Sequence, residues 1–240
     1  MGFTSAKRQI ISLLSVCTLG VGLWGCGGGD ASKTPNGPLT LNREVIASNI
    51  QLPIAIAIAP DQRIFFSEFG SGDIKVIQNG SLRSAPFYST TPGVGNEGLS
   101  GIALDPHFTE NHYLYFFFSD PKTRVSRVVR VTDTNSKGVG PVTLVDNIPA
   151  NGHNGGRLVF GDDGDTLYVS TGDAGVPSLA QDDASLAGKI LKVNVRSPDF
   201  TPQVFAKGLR NPFGMALRPT TGDLYCSDNG PTCDDEINIV

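Results

Sequence analysis

Leu158-Val-Phe-Gly-Asp-Asp-Gly-Asp-Thr-Leu-Tyr-Val-Ser170 decides the fold. Two short runs rich in β-branched and aromatic residues flank a Gly/Asp turn, the pattern of a tight β-hairpin. The same unit recurs three more times. Ile54–Ile58 leads through Pro60-Asp-Gln into Ile64–Ser67, Gly101–Leu104 through Asp-Pro-His-Phe into Tyr113–Phe118, and Met215–Leu217 through Arg-Pro-Thr-Thr-Gly into Asp223–Ser227. The equivalent positions Ile58, Leu104, Phe160 and Leu217 lie 46, 56 and 57 residues apart. Further strands are expected between the units at Ile74–Gln78, Val125–Val131, Val142–Ile148 and Lys189–Val195. A period of roughly 40–50 residues with about four short strands per unit is the signature of propeller blades. Each blade is a small sheet whose faces only its neighbours can cover. The expectation is an all-β propeller, with four units forming a fan that is not yet closed.

Composition agrees with that class. The chain has 240 residues, 39% of them hydrophobic, with 29 Gly and 16 Pro supplying turns. Its formal charge of −4 gives no basic footprint, so nucleic acid is not an expected partner. Lys7 and Arg8 precede an apolar run from Ile10 to Leu23, shorter than a bilayer span but suited to a signal-peptide core. Gly25-Cys26 resembles a bacterial lipoprotein cleavage box, so residues 1–25 are read as a lipoprotein signal and Cys26 as the lipidated residue. Residues 26–39, which include Gly27-Gly-Gly-Asp, form a flexible tether. The expected protein is exported to the periplasm or cell surface and held at the membrane by its lipid alone, with residues 40–240 as the folded domain. In an oxidising compartment Cys226 and Cys233 are candidates for a disulfide bracing the loop between them, with two free thiols as the alternative.

Four runs carry chemistry: Asn151-Gly-His153-Asn-Gly-Gly-Arg157, Ser170-Thr-Gly-Asp173, Gly208-Leu-Arg210-Asn211-Pro-Phe-Gly, and Asp228-Asn-Gly230-Pro231 with Asp234-Asp-Glu236. His153 sits in a glycine-rich loop, where an imidazole can accept a proton at neutral pH. The alternative is a turn histidine bonded to a backbone carbonyl. Asp173 ends the strand returning from the Leu158 hairpin, so it is the natural carboxylate to orient that imidazole; capping an Asx-turn is its bland reading. The Arg210 guanidinium and Asn211 amide suit carboxylate or quinone oxygens. Gly230 and Pro231 can present carbonyls to a hard cation beside three acids, of which Glu236 is one. His107 and His112 flank a blade turn and are read as solvated. Asp162–Asp165 lacks the spacing of a calcium loop, and Gly93–Gly98 matches a dinucleotide fingerprint by letter but not by strand–helix context.

Four ordered stretches are similar to the soluble quinoprotein glucose/sorbosone dehydrogenases, which include bacterial aldose sugar dehydrogenases. They are His153-Asn-Gly-Gly-Arg-Leu-Val-Phe-Gly, Leu186-Ala-Gly-Lys-Ile-Leu, Gly208-Leu-Arg-Asn-Pro-Phe-Gly-Met-Ala and Asp228-Asn-Gly-Pro followed by Asp-Asp-Glu-Ile-Asn. The resemblance implies a six-bladed β-propeller binding pyrroloquinoline quinone (PQQ) and Ca2+. It implies oxidation of an aldose C1 hydroxyl to the lactone, with electrons leaving to an external cytochrome or quinone. Carried over, His153 takes the hydroxyl proton, Asp173 orients it, and Arg210 and Asn211 contact the quinone. The carbonyls of Gly230 and Pro231 hold the cofactor-side calcium, and Glu236 matches a ligand of a second calcium. The chain departs at Gly95-Asn96-Glu97-Gly98-Leu99-Ser100-Gly101, where the family often reads Gly-Gln-Gly-Gly-Leu-Leu-Gly. The family's later cations would lie beyond Val240, so the expectation is the N-terminal part of the propeller, with Arg210 alone leaving much of the cofactor's three-carboxylate charge unpaired and the chain by itself holding the cofactor poorly and inactive. The competing readings are a non-catalytic propeller that binds a carbohydrate or protein, and a metal-dependent lactone hydrolase.

Overall fold

The computed structural model describes residues 43–240, so the signal segment, the tether and Cys26 lie outside the described residues. Glu44–Val240 forms one unit of four antiparallel sheets. The first contains β1 (Pro53–Ile58), β2 (Ile64–Glu68), β3 (Asp73–Gln78) and β4 (Ser81–Leu82), with β5 (Tyr88–Ser89) also on β3. The second runs β6 (Leu99–Leu104), β7 (Tyr113–Asp120), β8 (Val125–Asp133), β9 (Gly138–Pro149). The third runs β10 (Leu158–Phe160), β11 (Thr166–Thr171), β12 (Lys189–Asn194), β13 (Gln203–Lys207). The fourth holds β14 (Pro212–Leu217), β15 (Leu224–Asp228) and β16 (Glu236–Ile239). The first strands pack in sequence, β1 against β6, β6 against β10 and β10 against β14, as the inner strands of a propeller do. These are four blades in order.

The blades hold together because their strands bury both faces. Along β7, Leu114, Phe116 and Phe118 face the first blade and pack with Phe65, Ile74 and Phe87. The alternate residues Tyr115 and Phe117 face the third and pack with Leu167, Val169 and Leu191. A period of two thus serves two interfaces, and each large side chain buried contributes about 1.5–3 kcal/mol. Ile190, Leu209, Leu224 and Cys226 fill the third interface. By contrast, Ile56 and Ile58 on β1 and Ile237 and Ile239 on β16 are exposed on the outermost sheets.

The hairpin turns on the far side from the chain's glycine-rich loops carry a polar clamp between the second and third blades. Arg196 donates to both oxygens of buried Asp105 at 2.8 Å, to Asp165 at 3.0 Å and to the Gly164 carbonyl. Tyr115 adds a 2.8 Å hydrogen bond to Asp105. In the third blade the fully buried Lys189 donates its ammonium to the carbonyls of Leu179, Ala180 and Ala187. It ties down the loop between β11 and β12, and burial lowers its pKa.

The anticipated Cys226–Cys233 bridge is not formed; both thiols are free. The alternation of β15 turns Cys226 into the core beside Ile190 and Leu224, while Cys233 sits in the exposed turn before β16. Burial, with Asp228 and Glu236 nearby, pushes the Cys226 thiol up to about 11.

Candidate active site

His153 lies in the loop between β9 and β10, just before the inner strand of the third blade. Gly155 (φ 61°) and Gly156 (φ 96°) turn the backbone through the left-handed region that favours glycine. A Cβ on Gly156 would come within 2.2 Å of Ser100 Oγ on the neighbouring blade. The chain then enters β10, while β11 runs back alongside and ends beside the same loop. Asp173 follows directly, and its Oδ1 accepts from His153 Nδ1 at 2.7 Å. The same oxygen accepts the Gly175 N–H at 2.8 Å, as in an Asx-turn. Asp173 is 2% exposed, whereas the imidazole keeps 28% of its surface open.

The third run arrives from the fourth blade. Arg210 Nη2 meets His153 Nε2 at 2.9 Å, and Nη1 donates to the Asn229 carbonyl at 2.8 Å. A guanidinium can only donate, so Nε2 carries a lone pair and the proton resides on Nδ1, facing Asp173. That is the tautomer a general base needs. Asn211 Oδ1 accepts the Gly155 N–H at 3.0 Å, tying the two loops together. The carboxylate of Asp228 caps the backbone N–H groups of Arg210 and Asn211 at 2.9 and 2.6 Å. Sequence reading gave Asp228 no role, because such a cap becomes visible only once β14 and β15 are paired.

The departure from the family pattern also has a place. Glu97, buried, accepts from the Gly152 N–H at 3.1 Å and from Arg124 at 3.2 Å. Arg124 also donates to Asn151 Oδ1 at 2.6 Å, and Asn154 donates its amide to the Asn96 carbonyl at 2.8 Å. The turn at Asn96-Glu97 therefore grips the His153 loop from the second blade, on both sides of the imidazole.

These loops surround a cavity of about 330 Å³, in the range of small-molecule sites. Its polar wall includes His153, Asn154, Ser100 and Asn211, and Phe69, Phe213 and Leu52 line the apolar side. Gly230 follows the Asn229 carbonyl that holds Arg210, so its turn adjoins the site. Its N–H is taken by Asp235 at 2.8 Å, and a Cβ there would meet the Asp234 carbonyl at 2.3 Å. Glu236 stands exposed across from Asp228 at the start of β16. Among the described residues no three His, Cys, Asp or Glu side chains converge on a common centre. His107 and His112 sit at the β6–β7 turn, at the opposite end of the inner strands from His153.

One glycine gives a direct check on this geometry. A Cβ on Gly172 would fall 2.1 Å from the His153 carbonyl oxygen and 2.8 Å from the Asn154 backbone nitrogen. Because these are backbone atoms, no rotamer change can relieve the clash. Gly172→Ala is expected to displace the His153 loop and to destabilise by about 1–3 kcal/mol, measured by urea unfolding. An unchanged unfolding midpoint would disprove the close packing of the two loops.

Fold and site together define a propeller whose inner-strand loops assemble an imidazole–carboxylate pair beside a guanidinium. The chain belongs to the Glucose / Sorbosone dehydrogenase family, which matches residues 50–240. It is 29% identical to the aldose sugar dehydrogenase YliI of Escherichia coli (strain K12), with 97% of this chain and 65% of that protein covered. It is 31% identical to quinoprotein glucose dehydrogenase B of Acinetobacter calcoaceticus, covering 83% of this chain and 50% of that protein. Among solved structures, the PQQ-bound aldose sugar dehydrogenase of Streptomyces coelicolor superposes with a TM-score of 0.73 at 29% identity, covering 82% of this chain and 62% of that one. The chain thus spans between half and two thirds of the length of these relatives.

Proposed function

We propose that this chain carries the base side of a PQQ-dependent sugar dehydrogenase, which oxidises the C1 hydroxyl of an aldose to its lactone. The observation that carries the reading is the Asp173–His153–Arg210 line, with Nδ1 bonded to Asp173 and Nε2 left as a proton acceptor. The cavity suits the cofactor in being of ligand size with aromatic walls. PQQ, when bound, supplies the hydride acceptor. Arg210 and Asn211 are the residues to hold its oxygens, and the carbonyls of Gly230 and Pro231, next to Asn229, are the donors for a Ca2+ beside it. Glu236 is assigned to a second Ca2+.

The chain's own part of the chemistry follows from the hydrogen bonds. Nε2 has a single lone pair, so the Arg210 contact and a substrate hydroxyl compete for it. Arg210 turning to an anion releases Nε2, which then accepts the hydroxyl proton. Asp173 stabilises the imidazolium that forms and holds the ring in place. The Asp228 cap holds the Arg210 loop, the Glu97 contact holds the His153 loop, and the Gly155–Asn211 hydrogen bond joins the two. An external cytochrome or quinone then takes the electrons. The N-terminal segment supports an exported protein tethered through lipidated Cys26.

Reconstitution tests the whole reading. The complete protein incubated with PQQ and Ca2+ is expected to bind the cofactor with a change in its absorbance spectrum and to reduce an artificial dye when an aldose is added, whereas this chain by itself is expected to hold the cofactor poorly. Dye reduction that is insensitive to PQQ, or cofactor binding with every aldose inert, would count against it.

A further inference from the structure

Asn154, next to the base, has its amide orientation fixed by its neighbour. The Nδ2 group donates to the Asn96 carbonyl at 2.8 Å, and a flipped amide would set two oxygens against each other. Oδ1 is therefore the atom left over, and it has no hydrogen-bond partner although Asn154 is only 8% exposed. Ser100 Oγ, across from Gly156, is equally buried and without a partner. Both residues line the cavity that His153 opens onto. A buried polar atom left without a partner is destabilising, so two in one wall mark a place where a ligand donor belongs.

The chemistry of the two atoms selects that donor. An amide oxygen repels carboxylates and quinone oxygens, so this wall does not serve the anionic cofactor. An amide oxygen and a hydroxyl also suit a hard cation, but among the described residues no cluster of acids, histidines or cysteines completes such a set. A neutral hydroxyl fits: it donates to Asn154 Oδ1, and its oxygen accepts from the Ser100 hydroxyl. Ser100 also stands where the family pattern often has leucine, so the hydroxyl is a feature of this chain.

We propose that Asn154 Oδ1 and Ser100 Oγ form a specificity subsite for a second hydroxyl of the sugar, apart from the one presented to His153. The inference rests on the sugar-dehydrogenase reading and names what that site demands of its substrate: a polyhydroxylated ring carrying this second group. Sugars lacking the group are poor ligands because the two buried atoms then stay unpaired.

Saturation-transfer NMR on the full chain, with and without PQQ and Ca2+, gives a readout independent of turnover. Glucose is expected to bind roughly tenfold more tightly than at least one of its monodeoxy analogues. Ser100→Ala and Asn154→Leu are expected to bind glucose and that analogue alike. Ser100→Ala is also expected to keep or raise the thermal midpoint, since it removes an unpaired buried hydroxyl. Equal binding of all analogues by the parent, discrimination retained in both variants, or no sugar binding at all would each overturn the subsite. Lost dye reduction with discrimination intact would instead count against the dehydrogenase reading and leave the subsite standing.

Discussion

His153→Ala in the reconstituted protein is expected to lower sugar-dependent dye reduction by about 10²–10⁴-fold, the usual contribution of a positioned general base. Binding of PQQ should survive, because the imidazole is not among the residues assigned to hold it. Asp173→Asn should give a loss of comparable size, because the ring loses the negative charge that stabilises the imidazolium and the partner that fixes its tautomer. Arg210→Lys is informative in a different way, because a lysine cannot bridge Nε2 and the Asn229 carbonyl as the planar guanidinium does. Steady-state kinetics with dye as acceptor, with spectrophotometric cofactor titration, separates these effects. Full turnover in His153→Ala would remove the base from the mechanism.

Much of this site was legible because its parts sit on turns. Glycine, Asn and Pro around His153, Arg210 and Gly230 announce tight backbone, and a lone imidazole in such a loop stands out. The inner hairpins were legible for a related reason: Leu114 to Phe118 alternates two buried faces, and Gly/Asp turns punctuate it. Two of the outer strands were not. Gln203–Lys207 carries no clean apolar alternation, and Glu236–Ile239 alternates over only four residues, too short to stand out. Asp228, Glu97 and Lys189 escaped for a different cause. Each bonds backbone groups brought near only by folding: Asp228 reaches 18 residues back to the Arg210 N–H, and Glu97 meets a backbone N–H 55 residues away. The cysteine pairing failed because nearness in sequence says nothing about side-chain direction, and the pleat of β15 sends Cys226 inward. The Glu97 contact recasts the departure at Asn96-Glu97: that turn holds the His153 loop by two hydrogen bonds.

Acid sensitivity should reside largely in the Asp105–Arg196 clamp. Asp105 is 2% exposed, and burial alone would raise its carboxyl. The Arg196 hydrogen bonds, with those from the Asn111 side chain, the His107 N–H and Tyr115, outweigh burial and hold it at about 2. A carboxylate depressed in the folded state contributes stability that is fully present above its unfolded pKa of 3.8 and is lost as pH falls toward 2. The displacement corresponds to about 2.5 kcal/mol at neutral pH, of which about 2 kcal/mol should disappear between pH 5 and pH 2. Asp105→Asn should remove that portion of the pH dependence. It should also cost about 3 kcal/mol at pH 7, the low end for breaking a buried pair, because Arg196 is partly open to solvent and keeps Asp165. Arg196→Met strands the buried carboxylate instead, so its pKa should rise and the fall in stability with acid should flatten. Urea unfolding of the three proteins at pH 7, 5 and 3 measures both effects. If Asp105→Asn lost stability with acid as steeply as the parent, the clamp would not be the acid-labile element, and Asp61, Glu68 and Asp163, whose pKa values are also lowered, would have to carry it.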